Sequence, residues 1–351
     1  KIALGGAPFY GDDIQELGRI AAAADWAEGD GARRQVEVKA DYVARLLADG
    51  PKSGALNVVW DCGNGAAGAV IDALVAGLPG AHEVLFGAVD GTFPNHHPDP
   101  TEEKNLVDLQ RAVAARGADL GIGFDGDGDR IGVVDGRGRI VWGDQILLML
   151  ARGVLDAQPG ATIIADVKAS QALFDGVAEL GGAPLMWKTG HSLIKAKMKE
   201  TGAPLAGEMS GHIFFADRYY GYDDALYAAV RLLGGLAKAR AADPDASIAG
   251  WRDAMPSPAN TPELRFDCPD TEKFDVVERL AAHLAEAGAE VSDVDGVRVR
   301  MAEGWWLLRA SNTQPVLVAR CEAADAAGLE TVKAALRAAL AAVDGPAPSG
   351  L

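Results

Sequence analysis

The strongest constraint on this chain is the heptapeptide Phe124-Asp125-Gly126-Asp127-Gly128-Asp129-Arg130. Three carboxylates at alternate positions, separated only by glycine, repel one another at a few ångströms, so they gather only around a cation. Leu120, Ile122 and Phe124 alternate with small residues before it and Ile131-Gly132-Val133-Val134 follows, which predicts a turn between two strands. Gly126 and Gly128 allow a bend tight enough to aim all three side chains at one centre. Oxygen-only ligands from a short loop, with positions left open for water and a phosphate oxygen, suit Mg²⁺. An EF-hand needs glycine at its sixth place and glutamate at its twelfth, where this loop has Arg130 and Gly136. An acidic surface turn is the plain alternative.

A chain of 351 residues can build two to four domains with real cores. No apolar run approaches the roughly 18 residues of a membrane helix, and Lys1-Ile-Ala-Leu-Gly-Gly does not read as a secretory signal. Only Cys62, Cys268 and Cys321 are present, widely spaced, which argues against a disulfide framework or a cysteine metal site, so a reducing cytoplasm is expected. A net charge of −17 argues against nucleic acid and acidic membranes as partners; an anionic substrate would need a local cluster of cations.

Strand and helix patterns alternate from a helix carrying Val43, Leu46 and Leu47 to a strand at Pro184–Trp187 and the helix that His191 opens. Ala55–Trp60 reads as a buried strand, then comes Asp61-Cys62-Gly63-Asn64-Gly65, then one helix whose apolar face runs from Val70 to Leu78. Gly63, Gly65 and Gly68 spell G-x-G-x-x-G, with Glu83 twenty residues beyond the first, so an NAD-dependent dehydrogenase is a rival reading. A tight strand–helix turn needs such glycines anyway. Asn95-His96-His97-Pro98-Asp99-Pro100 reads as a rigid loop rather than a metal site. In parallel α/β layers the functional loops lie at the carboxyl ends of strands. Three polar segments fall there: Lys168, Lys188-Thr189-Gly190-His191 opening a helix, and Glu208-Met209-Ser210-Gly211-His212. Lys168 by itself reads more readily as a solvated lysine than as a catalytic one. Glu208, Ser210 and His212 alternate, so a carboxylate, a hydroxyl and an imidazole share a face, as recognition of sugar hydroxyls requires.

Pro256–Pro262 reads as a linker. Beyond it, strands and two helices predict a small antiparallel α+β unit, with Asp295-Gly296 as a hairpin turn and residues 344–351 as a frayed tail. Arg309-Ala310-Ser311-Asn312-Thr313, between two strands, offers a guanidinium fork and several donors to a phosphate dianion.

Taken in order, these segments resemble the α-D-phosphohexomutases, most closely the bacterial phosphomannomutase/phosphoglucomutase branch. The resemblance implies related α/β layered domains with mixed and parallel sheets, plus a small C-terminal α+β domain like the TATA-binding protein. The expected units are 1–37 (the remainder of a first domain), 38–139, 140–255 and 256–351. It also implies Mg²⁺ on Asp125, Asp127 and Asp129, with Arg130 and Lys168 beside the transferring phosphoryl group. Gly190, His191, Glu208, Ser210 and His212 would contact sugar, and Arg309, Ser311, Asn312 and Thr313 the phosphate that is not reacting. The family interconverts hexose 1-phosphate and 6-phosphate through a bisphosphorylated sugar, using an active-site phosphoserine; Lys168 and His212 are the residues expected to take the hydroxyl proton. Met209 leans toward mannose and glucose over glucosamine.

The phosphoserine of the family sits in a Ser-His-Asn-Pro-like segment, and this sequence contains none. The chain by itself is therefore expected to bind sugar phosphate and Mg²⁺ weakly and not to turn over. A sugar-phosphate-binding protein without catalysis and a phosphoglucosamine mutase are the alternatives.

Overall fold

Short apolar runs punctuated by glycine turns become the strands of three sheets. The computed structural model describes residues 2–5 and 7–346, so Lys1 and the end of the expected tail lie outside the described residues. β1 (Ala3–Leu4) and β2 (Ala7–Pro8) form a hairpin ahead of α1 (Asp12–Ala23), which buries none of its residues.

The first large sheet follows α2 (Lys39–Ala48) and comprises β3 (Leu56–Asp61), β4 (Gly80–Leu85), β5 (Leu120–Phe124), β6 (Ile131–Asp135) and β7 (Ile140–Val141). Its order is β4-β3-β5-β6-β7, with β3 parallel to β4 and β5 and the rest antiparallel. The aspartate loop turns between β5 and β6, as its flanks predict. The single helix expected over 70–78 is a short 3₁₀ turn, Ala66–Ala69, followed by α3 (Ile71–Ala76). Gly77 packs on Leu47 and Pro79 stops the helix, while α4 (Val107–Arg116) covers β5 from one side. β7 completes this sheet beyond residue 139, so a division there falls inside the sheet.

The second sheet repeats the first. α5 (Gly143–Ala157), β8 (Thr162–Asp166), α6 (Gln171–Glu179), β9 (Ala183–Trp187), α7 (His191–Thr201), β10 (Leu205–Gly207) and β11 (Ile213–Phe215) give the order β11-β10-β8-β9. β8 is parallel to β9 and β10, and β10–β11 is an antiparallel hairpin, the same pattern as β4-β3-β5-β6. In each unit the hairpin turn after the second central strand carries the polar loop. α8 (Ala225–Ala242), before α9 (Ile248–Asp253), packs on α2, α5, β5 and β6, so the two units share one apolar core.

The last unit is antiparallel: β12 (Ala259–Asn260), β13 (Leu264–Asp267), α10 (Lys273–Glu286), β14 (Val291–Ser292), β15 (Val297–Arg300), β16 (Gly304–Ala310), β17 (Val316–Ala323) and α11 (Ala326–Ala342). The expected linker is partly ordered, because β12 pairs with β17. One sheet face, including Val297, Val299, Trp306, Leu308 and Cys321, packs on Leu280 and Leu336 of the helices. Among the described residues no helix is long and apolar enough to cross a membrane.

Candidate active site

The aspartate loop is built around Asp125. Its Oδ1 accepts the backbone N–H groups of Gly128, Asp129 and Arg130 at 3.0, 2.9 and 3.0 Å, and its Oδ2 accepts Arg130 Nε at 2.8 Å. Gly128 holds φ at 80°, which glycine adopts without strain. Asp125, Asp127 and Asp129 each present a carboxylate oxygen, all within 4.8 Å of one another, with Asp127 exposed and the other two buried. Such a donor set fits a hard divalent cation. Arg130 Nη1 reaches Asp99 Oδ1 at 3.1 Å, so two carboxylates fix its plane.

The glycine turn after β3 is the platform for this loop. Ala66 donates to the Gly126 carbonyl at 2.9 Å, and a Cβ on Gly65 would lie 2.8 Å from the same oxygen. Glu83, meanwhile, pairs with Arg116 at 2.6 Å. Beneath the turn, buried Asp61 accepts from His96 Nε2 at 3.0 Å while His96 Nδ1 faces the His97 carbonyl at 3.0 Å. Both ring nitrogens meet acceptors, so the imidazolium is favoured, and the Asp61 hydrogen bond raises His96 to about 9 against the pull of burial. A raised folded-state pKa stabilises fully below the unfolded value, about 6.5, and is lost as pH rises through about 9. His96→Asn should therefore be less stable than the parent by about 1–2 kcal/mol near pH 6, with the gap closing by about pH 10. Urea unfolding at several pH values checks this; a constant gap refutes it.

The second hairpin loop lies against the first. Ile131 N–H donates to the Gly211 carbonyl at 3.1 Å, and Arg130 and His212 form a β-bridge. His212 Nδ1 is thereby brought to 3.4 Å from Asp129 Oδ1 and 3.2 Å from Asp223 Oδ2. Glu208 Oε1 accepts Gly190 N–H at 2.5 Å, Ser210 Oγ lies 3.4 Å from Glu208 Oε2, and the His191 and His212 rings are 6.1 Å apart. Burial, then repulsion from Asp166, raises the Glu208 pKa. Fully buried Asp166 ties the loops together: Oδ1 accepts Met209 N–H and Oδ2 accepts Thr189 Oγ1, each at 3.0 Å.

Lys168 is not a solvated lysine. It is buried, with Nζ 2.8 Å from Glu263 Oε2 and 3.8 Å from Asp166 Oδ2. Burial alone would lower its pKa; Asp166 and Glu263 outweigh that and raise it, while Glu263 falls to about 2. An ammonium held this firmly is a poor general base, which counts against the expected proton-transfer role and suits a fixed cation.

Arg309, the last residue but one of β16, is buried, its Nε 2.8 Å from Asp295 Oδ2, and the same oxygen accepts Thr189 N–H at 3.0 Å. Ser311 Oγ accepts from Thr313 N–H at 3.4 Å and Gln314 N–H at 3.2 Å, shaping the loop; Asn312 and Thr313 are exposed. Arg309–Asp295–Thr189, Gly190–Glu208 and His212–Asp129 thus form a run of contacts from the last unit to the aspartate loop. Asp99, Asp166, Asp223, Glu263 and Asp295 were not expected from the sequence as residues of the site. Only Asp166 carried a signal, at the carboxyl end of a central strand beside Lys168.

Residues 40–138 match the family described as phosphoglucomutase/phosphomannomutase, alpha/beta/alpha domain II; 142–251 match its alpha/beta/alpha domain III; 263–339 match its C-terminal domain. The chain belongs to the phosphoglucomutase/phosphomannomutase family. Within it, the chain is similar to the phosphomannomutase/phosphoglucomutase of Pseudomonas aeruginosa, 44% identical over 348 residues that cover 99% of this chain and 74% of that protein. The phosphoglucomutase of Neisseria gonorrhoeae is 41% identical over 97% of this chain and 74% of its own length. A crystal structure of a phosphoglucomutase/phosphomannomutase family protein from Burkholderia thailandensis is 45% identical, with TM-score 0.89 over 97% of this chain and 72% of that one. The expectation of a phosphohexomutase, an enzyme of the isomerase class, is met, and so is the layered α/β architecture with its C-terminal unit. The dehydrogenase reading is set aside, since in this phosphoglucomutase/phosphomannomutase chain the glycine turn seats the aspartate loop.

Proposed function

We propose that this chain carries the metal, sugar and phosphate surfaces of a mutase that interconverts mannose or glucose 1-phosphate and 6-phosphate through the bisphosphorylated sugar. The run of contacts from Arg309 to Asp129 supports this, because it links the Arg309 turn to the aspartate loop by way of the Glu208–His212 loop. Asp125, Asp127 and Asp129 would hold Mg²⁺, which supplies charge neutralisation at the phosphoryl oxygens. Arg130 and Lys168 are the fixed cations beside the transferring group. Gly190, His191, Glu208, Ser210 and His212 face the sugar, and Arg309, Ser311, Asn312 and Thr313 the distal phosphate. Proton transfer falls to His212 and Glu208: one imidazole flanked by carboxylates and one carboxyl with a raised pKa. The buried, unpaired cysteines fit a reducing, cytoplasmic setting.

Calorimetric titration with glucose 1-phosphate and mannose 1-phosphate in the presence of Mg²⁺ tests the reading. Arg309→Met should weaken both by about 100-fold, the loss of a charge-assisted phosphate contact. Unchanged affinity, or a clear preference for glucosamine 1-phosphate, overturns it. The 351 residues contain no Ser-His-Asn-Pro-like segment, so by themselves they should show no mutase turnover in a coupled assay.

A further inference from the structure

Three successive carbonyls of the Lys168 turn are held from the last unit. Arg298 Nη1 donates to Val167 O at 2.7 Å and to Ala169 O at 3.0 Å, and Arg320 Nη1 donates to Lys168 O. Strand register places these arginines: Arg298 pairs with Leu307, and Leu307 with Arg320, so the three form one row across β15, β16 and β17. That row lies on the face turned away from α10 and α11. In the neighbouring row Trp305 pairs with Glu322, and Trp305 and Leu307 pack on Val167 and Met186 of the second unit.

The arrangement is costly for a mere seam. Arg298 is buried, and burial lowers its pKa to about 10, still a cation at neutral pH. Its hydrogen-bond partners are backbone carbonyls, Gln171 Oε1 at 3.4 Å and the Met186 sulfur, with no carboxylate among them. The Trp305 ring supports it at 3.7 Å; Trp305 Nε1 in turn donates to Glu322 Oε1 at 2.8 Å. Apolar residues generally stabilise a buried interface as well as or better than ions do. What guanidinium groups add is direction, because a planar fork fixes the acceptors it binds.

We infer that Arg298 and Arg320 are positioning residues that fix Lys168 to the same rigid sheet as Arg309. Arg309 follows Trp305 and Leu307 at alternate positions of β16, so it leaves the sheet on the same face. The distance between Lys168 and Arg309 is therefore set by one sheet. A bisphosphorylated hexose, gripped at both ends, would feel that spacing; a single phosphate would not. This rests on the proposed role of Lys168 beside a phosphoryl group.

A double-mutant cycle tests it, with affinities for glucose 1,6-bisphosphate and for inorganic phosphate measured on the full chain with Mg²⁺. Arg298→Lys should weaken the bisphosphate about 10-fold and leave inorganic phosphate within about twofold. In a Lys168→Met background the same change should have no further effect on the bisphosphate. Arg320→Lys, run through the same cycle, serves if Arg298→Lys melts below the assay temperature. An additional 10-fold loss in the Lys168→Met background, or equal weakening of both ligands, overturns the positioning role while leaving the Lys168 assignment intact. If Lys168→Met itself leaves bisphosphate affinity unchanged, the assignment of Lys168 fails first and the inference fails with it.

Discussion

Asp125→Ala should abolish Mg²⁺ binding and destabilise the metal-free protein by about 3–5 kcal/mol, whereas Asp127→Asn should weaken Mg²⁺ about 10- to 100-fold and leave the metal-free protein at least as stable. The two residues sit one glycine apart, yet their side chains work differently. Asp125 is buried and satisfies three backbone N–H groups and Arg130 Nε; its removal leaves those donors and a half-buried guanidinium short of an acceptor. Asp127 is exposed and stands close to two other carboxylates, so neutralising it relieves repulsion. Thermal melts in EDTA give the stability difference and Mg²⁺ titration the affinity. Equal destabilisation by both changes would show that the loop has no internal organiser.

How far the sequence reaches depends on where the information lies. The aspartate loop, the Glu208–His212 loop and the Arg309 turn were legible because each packs its chemistry into a few adjacent residues. Strand order was legible only as a class: nothing local states that β3 lies between β4 and β5, or that the second sheet repeats the first. The helix expected from Val70 to Leu78 shortened because apolar periodicity cannot see Gly77 meeting Leu47 from another helix. Lys168 shows the same limit. Its partners Asp166 and Glu263 are 2 and 95 residues away, and only the tertiary fold decides that the lysine is buried between them. Asp295 read as part of a hairpin turn, which it is; its second use, bridging Arg309 to Thr189, needs the contact between units.

The repeated sheet yields a matched pair for the other large effect. Asp61 ends β3 and Asp166 ends β8, equivalent positions at the carboxyl ends of equivalent central strands, and both are buried. Asp61 accepts Gly63 N–H and His96, so it steadies the platform under the aspartate loop. Asp166 accepts from the two segments proposed to hold the sugar and stands beside Lys168. Either aspartate changed to alanine should cost about 2–4 kcal/mol, since each leaves buried donors unpaired. Only Asp166→Ala should also weaken hexose phosphate binding by more than about 100-fold, because the 189–191 and 208–212 segments lose their common anchor. It should lower the Glu208 pKa as well, by removing the neighbouring charge that raises it. Urea unfolding and hexose phosphate titration of both variants separate the two roles. Similar affinity losses in Asp61→Ala and Asp166→Ala would mean that the strand ends support the fold alike and that neither is dedicated to the sugar.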